Sequence, residues 1–295
     1  MRAFAHDVFT YPLPAGHRFP LGKYRLVREG AEHIDGLEIE TARPATPGEL
    51  ARGHDPSYIA QVESGELSRR ELLSLGLPWS PELVERARRS VGATLLAAEA
   101  ALEDGRAANL GGGTHHAFYD AGKGFCVFND VVCAGRALRA RGLVRRVLVV
   151  DLDVHQGDGT HAAFRDDPDA FTLSVNGFAN YPFQRVPGDI DVDLPDGTGD
   201  EPYLEAVARV VPEAIAGARP ELCFYLAGAD PYEGDRLGRL AVSRAGLDER
   251  DRLVREALDN AGVPICLALA GGYADPIEDT VKINLATLRV LCGAA

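Results

Sequence analysis

The segment Asp151-Leu-Asp153-Val-His155 closes an apolar run, Val147-Leu-Val-Val, and so sets two carboxylates and an imidazole close together. These are donor types for a divalent metal. The run is rich in β-branched residues and reads as a buried parallel strand. Alternation along that strand would send Asp151, Asp153 and His155 to one side. Ligands of open α/β sheets sit at the carboxyl ends of the strands. Asp230 ends the apolar run Cys223-Phe-Tyr-Leu-Ala-Gly-Ala and is the natural third donor beside Asp153 and His155. Two carboxylates and a neutral imidazole suit Zn²⁺ or Fe²⁺ and leave room for water and substrate. The plainer alternative is that these acids cap helices or close strand ends.

Three more clusters carry chemistry. His115-His116 follow Gly111-Gly-Gly-Thr114, a loop on which the backbone can approach a ligand closely. Adjacent histidines there suit acid–base work; extra metal ligands or a surface pair are the alternatives. Asp151 and Asp158 remain once the metal has its donors. Each can accept a hydrogen bond from one histidine and fix its tautomer, although Asp158 can equally cap a helix beginning near Gly159. Gly271-Gly272-Tyr273 ends the run Ile265–Ala270. A tyrosine on that turn can donate to an oxyanion, or simply pack on a strand end. In Gly124-Phe125-Cys-Val-Phe128-Asn-Asp130, Phe125 can wall a pocket, Phe128 suits the core, and Asp130 is a helix cap or a catalytic group. His6, His17, His33, His54 and His161 have no partner pattern and are read as structural or surface residues.

The elements that must position these groups alternate. Strands are expected at 108–110, 146–151, 171–175, 222–227 and 264–269. Helices are expected from Asp55, from the Ser80-Pro81-Glu82 start signal to Asp104-Gly105, from Asn129 or Asp130 to about Gly142, and at 159–164, 201–216, 248–261 and 275–291. Residues 1–45 are expected to be irregular, because prolines at 12, 14 and 20 discourage long helices. Strand–helix alternation predicts an α/β fold, a parallel sheet covered by helices on both faces. The polar clusters all follow expected strands, so they should gather at one sheet edge.

Composition sets limits. The chain has 295 residues, 46% of them hydrophobic, and a formal charge of −13. The acidic balance and the lack of a long basic run argue against direct nucleic-acid binding. Five cysteines show no Cys-x-x-Cys spacing, which predicts reduced thiols and a cytoplasmic protein. No signal peptide is visible, and the apolar runs are too short for a bilayer, so no membrane role is expected.

Five motifs in order, His115-His116 after the glycines, Gly124-Phe-Cys-Val-Phe-Asn-Asp130, Asp151 to Thr160, Ala227-Gly-Ala-Asp230 and Gly271-Gly-Tyr273, resemble the histone deacetylase superfamily. With Glu233-Gly-Asp-Arg-Leu-Gly238 and His17-Arg-Phe-Pro, the chain looks most like the bacterial branch of class IV enzymes. The resemblance implies one catalytic domain over 1–295 with the arginase/deacetylase fold. That fold is a three-layer α/β/α arrangement around a mostly parallel sheet of about eight strands. It implies Zn²⁺ on Asp153, His155 and Asp230, His115 paired with Asp151, His116 with Asp158, and Tyr273 as oxyanion donor. It also implies substrate contacts at Gly124, Phe125, Phe183 and Leu237, and structural K⁺ near Asp151, Asp153, His155 and Ser174. The family's exit-channel arginine aligns with Lys23. The implied reaction is hydrolysis of an acyl-lysine amide in a protein or peptide. Acetylated polyamines or other small acylated amines are the nearest alternative, and a silent acyl-lysine binder is a further one. A two-manganese ureohydrolase needs more His and Asp ligands than Gln156 and Gly157 offer.

Overall fold

A computed structural model describes residues 1–293. The order is β1 (Arg2–Ala5), α1 (Lys23–Ala31), β2 (Glu38–Thr41), α2 (Pro47–Leu50), α3 (Pro56–Ser64), α4 (Arg69–Leu75), α5 (Pro81–Asp104), β3 (Arg106–Asn109) and α6 (Asp130–Ala140). It continues with β4 (Val147–Asp151), α7 (Asp158–Phe164), β5 (Ala170–Gly177), β6 (Ile190–Leu194), α8 (Asp200–Ala218), β7 (Leu222–Leu226), α9 (Arg244–Asn260), β8 (Ile265–Ala268) and α10 (Ile277–Cys292). The strands form one eight-stranded sheet in the order β2-β1-β3-β8-β7-β4-β5-β6. Every neighbouring pair is parallel.

The central strands show why the sheet is covered twice. All five residues of β4 are buried. Leu148 and Val150 face a core that includes Val27 of α1, Tyr203 and Val207 of α8, Val254 of α9 and Ile283 of α10. Val147 and Val149 face a second core with Ala97 of α5, Val131 of α6 and Phe164 of α7. Period-two alternation therefore divides each strand between two helix layers. A smaller third cluster, with Leu50, Tyr58, Leu75 and Phe128, lies under α2 to α4.

The first 45 residues depart from expectation, for they contain β1, α1 and β2. The longest irregular stretch among them is the proline-bearing one between β1 and α1. β1 and β2 have four residues each, too few to show a period, and β2 is the sheet's edge with little burial. The opposite edge, β6, also lacked an apolar signature: in Ile-Asp-Val-Asp-Leu two of the five residues are acidic. α2 and α4 are brief but carry complete capping boxes, Thr46 with Glu49 and Ser68 with Glu71. α9 starts four residues before its expected point because Ser243 accepts from Gly246 N and caps it.

Candidate active site

The carboxyl ends of β3, β4, β7 and β8, adjacent in the sheet apart from order, deliver the chemistry to one place. β4 stops at Asp151, so Asp153 and His155 stand on the following loop and not on the strand itself. Their common direction comes from side-chain hydrogen bonds. Asp153 N donates to Asp151 Oδ1 at 3.1 Å, and His155 N to Asp153 Oδ1 at 2.9 Å, so each acid turns the chain for the next group. Asp230 reaches the same point from β7, and its Oδ1 accepts from Val154 N at 2.9 Å.

Donor atoms of Asp153, His155 and Asp230 lie within 4.8 Å of one another. His155 Nδ1 is 2.9 Å from Asp153 Oδ1 and 3.3 Å from Asp230 Oδ2. Asp230 Oδ2 is buried and has no hydrogen-bond partner. Burial and the neighbouring Asp153 charge push Asp230 up to about 7, despite the opposing pull of His155. Two buried carboxylates this close are mutually unfavourable unless a cation lies between them. The backbone leaves space for one: a Cβ on Gly271 would collide with Asp230 Oδ2 and sit 2.5 Å from Asp153 Oδ2. The donor set, the orphaned oxygen and the glycine gap all fit a divalent metal.

Beside this cluster stand two buried histidine–carboxylate pairs. His115 Nδ1 lies 2.6 Å from Asp151 Oδ2, and His116 Nδ1 lies 2.7 Å from Asp158 Oδ1. Each imidazole thus gives its Nδ1–H to a carboxylate and keeps Nε2 for another group. The ring centroids are 4.2 Å apart, with the planes tilted by 50°. Burial works against a charge on His115, but Asp151 and Asp153 outweigh it and raise the pKa to about 9. Burial and the charge of His115 lower His116 to about 4, against the pull of Asp158. The pair therefore divides into a charged and a neutral imidazole at pH 7.

Histone deacetylase domain is the description of the family model that matches residues 17–288. The chain belongs to the histone deacetylase family. An uncharacterized protein of Picosynechococcus sp. is 42% identical over 280 residues, spanning 94% of this chain and 93% of that one. The histone deacetylase-like amidohydrolase of Pseudomonas aeruginosa is 30% identical, over 90% of this chain and 74% of its own length. A solved HDAC homologue complexed with SAHA superimposes with a TM-score of 0.85 at 25% identity, covering 100% of this chain and 84% of that chain.

In this family member Asp153 and His155 floor a cavity of about 870 Å³, with Asp230 beside His155. Gly124, Phe125, Tyr273 and Leu237 line it, as does Phe183. Phe125 adopts φ 68°, a left-handed conformation rare for an aromatic residue, and its ring is 6.1 Å from that of Tyr273. A Cβ on Gly124 would lie 2.7 Å from His116 Cδ2, so only glycine fits there. Phe183 is 84% exposed and stands at the rim. The ring packed on His116 is instead Tyr181, at 4.8 Å and nearly perpendicular. Sequence reasoning missed Tyr181 because the loop between β5 and β6 offers no periodic pattern. Ser174 is fully buried next to Asp151 in the strand register, and its Oγ accepts from Asn176 Nδ2 at 3.1 Å.

Several supporting residues were also missed or left open. Asp130 is not the helix cap; Asn129 is, accepting from Val132 N. Asp130 instead accepts from Gly113 N at 3.0 Å, from Thr114 N at 2.8 Å and from Thr114 Oγ1 at 2.6 Å, which fixes the loop carrying His115 and His116. Asp235 accepts from Leu237 N, Gly238 N and Tyr273 N at 2.8, 2.9 and 2.6 Å, tying the rim to the tyrosine turn. Lys23 is buried and donates to the carbonyls of Ala270 and Gly272 at 3.1 and 3.3 Å. It staples the turn from the other side. Acids and lysines of this kind carry no periodic or spacing signal; only their place in the fold gives them a role.

Proposed function

We propose that this chain hydrolyses acylated amines, with N-ε-acyl-lysine as the defining group, at the cavity that opens onto the cluster of Asp153, His155 and Asp230. The observation that carries this reading is the pairing of that donor cluster with two buried His–Asp pairs, pushed to opposite protonation states, in one cavity. Zn²⁺ held by Asp153, His155 and Asp230, with Fe²⁺ as an alternative, would supply Lewis acidity toward an amide carbonyl and a water molecule.

The protein groups divide the remaining work. His116, neutral at pH 7, accepts the proton of the attacking water at Nε2 and later returns it to the leaving amine. Asp158 holds its tautomer. His115 stays charged beside Asp151 and stabilises developing negative charge. The Tyr273 phenol is kept protonated, since burial and nearby acids raise its pKa well above the usual value, so its O–H can donate to the carbonyl oxygen. Phe125 and Tyr181 confine the lysine stem, while Leu237 and Phe183 meet the substrate at the rim. A structural K⁺ near Asp151, Asp153, His155 and Ser174 is part of the same reading, supported by the Asp151–Ser174 register. Buried free thiols at Cys126, Cys133, Cys223 and Cys266 support a reducing, cytoplasmic setting. Among the described residues no helix is long and apolar enough to cross a membrane.

The test is amine release by the Zn²⁺-loaded protein from one lysine peptide bearing acetyl, butyryl, octanoyl or myristoyl groups. Turnover with a chain-length optimum is expected. Tight peptide binding without turnover on any of them would replace hydrolysis by a silent acyl-lysine binder.

A further inference from the structure

The cavity opens through a cationic mouth. Arg18, Arg236 and Arg239 line it, and all three are exposed. Asp153, a candidate ligand at the floor, is the only acidic side chain among the residues lining that cavity. This is the reverse of the average surface, since the chain has 44 acidic against 31 basic side chains.

The guanidinium groups are not locked to partners. Arg236 meets Asp275 at 3.6 Å, with the two side chains 63% and 71% exposed. Arg239 meets Asp196 at 3.2 Å, again with both exposed. Ion pairs in open water are weak and exchange readily with a ligand's charge. Arg18 has no carboxylate within 4.0 Å among the described residues. Arg18 and Arg236 also line a side groove of about 460 Å³, where Asp275 and Glu278 are the acidic members. Those two acids face the groove and do not line the main cavity. A cleft lined by one sign of charge over low-dielectric walls focuses its field on whatever enters.

We propose that the preferred substrate is an acylated amine carrying an anionic group close to the scissile amide. An acyl-lysine flanked by aspartate or glutamate supplies that chemistry, and so does a small acylated amine bearing a carboxylate. Polybasic peptide tails and polyamines present the wrong sign to the mouth. This inference rests on the hydrolase reading above and names its substrate class.

The experiment uses acetyl-lysine peptides of one length, flanked by aspartate, alanine or lysine, together with free N-ε-acetyl-lysine and an acetylated polyamine. Both kcat/KM and binding, by fluorescence anisotropy of labelled peptides, are measured at low and high salt. Each exposed charge contact is worth a factor of about two to five. The aspartate peptide should therefore exceed the lysine peptide by on the order of 10-fold or more, with alanine between. The gap should shrink at high salt and invert in the triple variant Arg18→Glu, Arg236→Glu, Arg239→Glu. A stronger response to free acetyl-lysine than to the aspartate peptide would mark a small anionic substrate as the source. Lysine-flanked peptides or the polyamine performing as well as the aspartate peptide would overturn the proposal. Should no arm turn over, either acetylated or carrying the acyl group preferred in the chain-length series, the hydrolase reading fails, while anisotropy still decides the charge preference by the same ordering.

Discussion

Replacing Gly271 with alanine should abolish divalent-metal binding and leave the sheet folded. The added Cβ would stand 2.5 Å from Asp153 Oδ2 and 2.9 Å from Asp230 Cγ, and nearer still to Asp230 Oδ2. Gly271 is outside the left-handed region, so alanine brings no backbone strain and the effect is purely steric. Ordinary contact begins at 3.4 Å, so both carboxylates must retreat by roughly 1 Å, whereas metal–ligand distances tolerate only ~0.2 Å. The Gly271 N–H also holds Asp153 Oδ2 at 2.8 Å, which prevents the acid from simply swinging away. Disturbing one supporting contact of a metal ligand weakens affinity about 10- to 100-fold, so displacing two ligands should weaken it by at least ~100-fold, or about 3 kcal/mol. The assay is a Zn²⁺ titration against a competing chelator, paired with thermal unfolding in EDTA. Affinity should collapse while the EDTA melting temperature moves by only a few degrees. A Kd within about threefold of the parent would refute Asp153 and Asp230 as the metal's ligands.

Tyr273→Phe should lower kcat by about 10²- to 10³-fold, as loss of one oxyanion donor does, with little change in melting temperature; near-parental turnover would remove the phenol from the mechanism. Asp130→Ala strands Gly113 N and Thr114 N inside the protein, so urea unfolding should show a loss of about 3 kcal/mol, and an unchanged midpoint would contradict the clamp. His54 is fully buried and accepts from Asn129 N at 2.8 Å; burial lowers its pKa from 6.5 to about 4. Its contribution is complete above pH 6.5 and is lost as the pH falls toward about 4, amounting to roughly 3 kcal/mol. His54→Gln should flatten that part of the stability–pH curve, and equal slopes in the two proteins would count against it.

The legible parts of the sequence were those with a period or a spacing. β4, β5, β7 and β8 announced themselves as apolar runs because helices cover both of their faces, and the groups just past their ends were legible for the same reason. β1, β2 and β6 were not, since a four-residue strand has no measurable period and edge strands need few apolar residues. The cluster of Asp153, His155 and Asp230 was legible by residue type, although the physical route differs: Asp-centred turns beyond β4, and not strand alternation, aim the first two. The roles of Asp130, Asp235 and Lys23 were not legible, because each turns on backbone groups brought in from another part of the chain: Gly113 and Thr114, Tyr273, and Ala270 and Gly272. Tyr181 and Phe183 show the limit most clearly. They lie two residues apart on an unpatterned loop, and only the path of the chain decides that Tyr181 meets His116 while Phe183 faces solvent.

The two histidine–carboxylate pairs carry the same point into electrostatics. On paper they are equivalent, an imidazole on one glycine-rich loop facing an aspartate from the β4–α7 segment, with bond lengths of 2.6 and 2.7 Å. Their protonation nevertheless divides toward about 9 and about 4. Both are buried and both have a carboxylate partner, so neither feature by itself separates them. What differs is the second neighbour: His115 Nε2 also lies 3.9 Å from Asp153, whereas His116 faces the charge of His115, their ring centroids 4.2 Å apart. Separated pKa values are what assign acid and base roles within a shared site. The separation in pKa, on which the proposed division of labour rests, thus comes from packing two adjacent histidines against one acid-rich strand end.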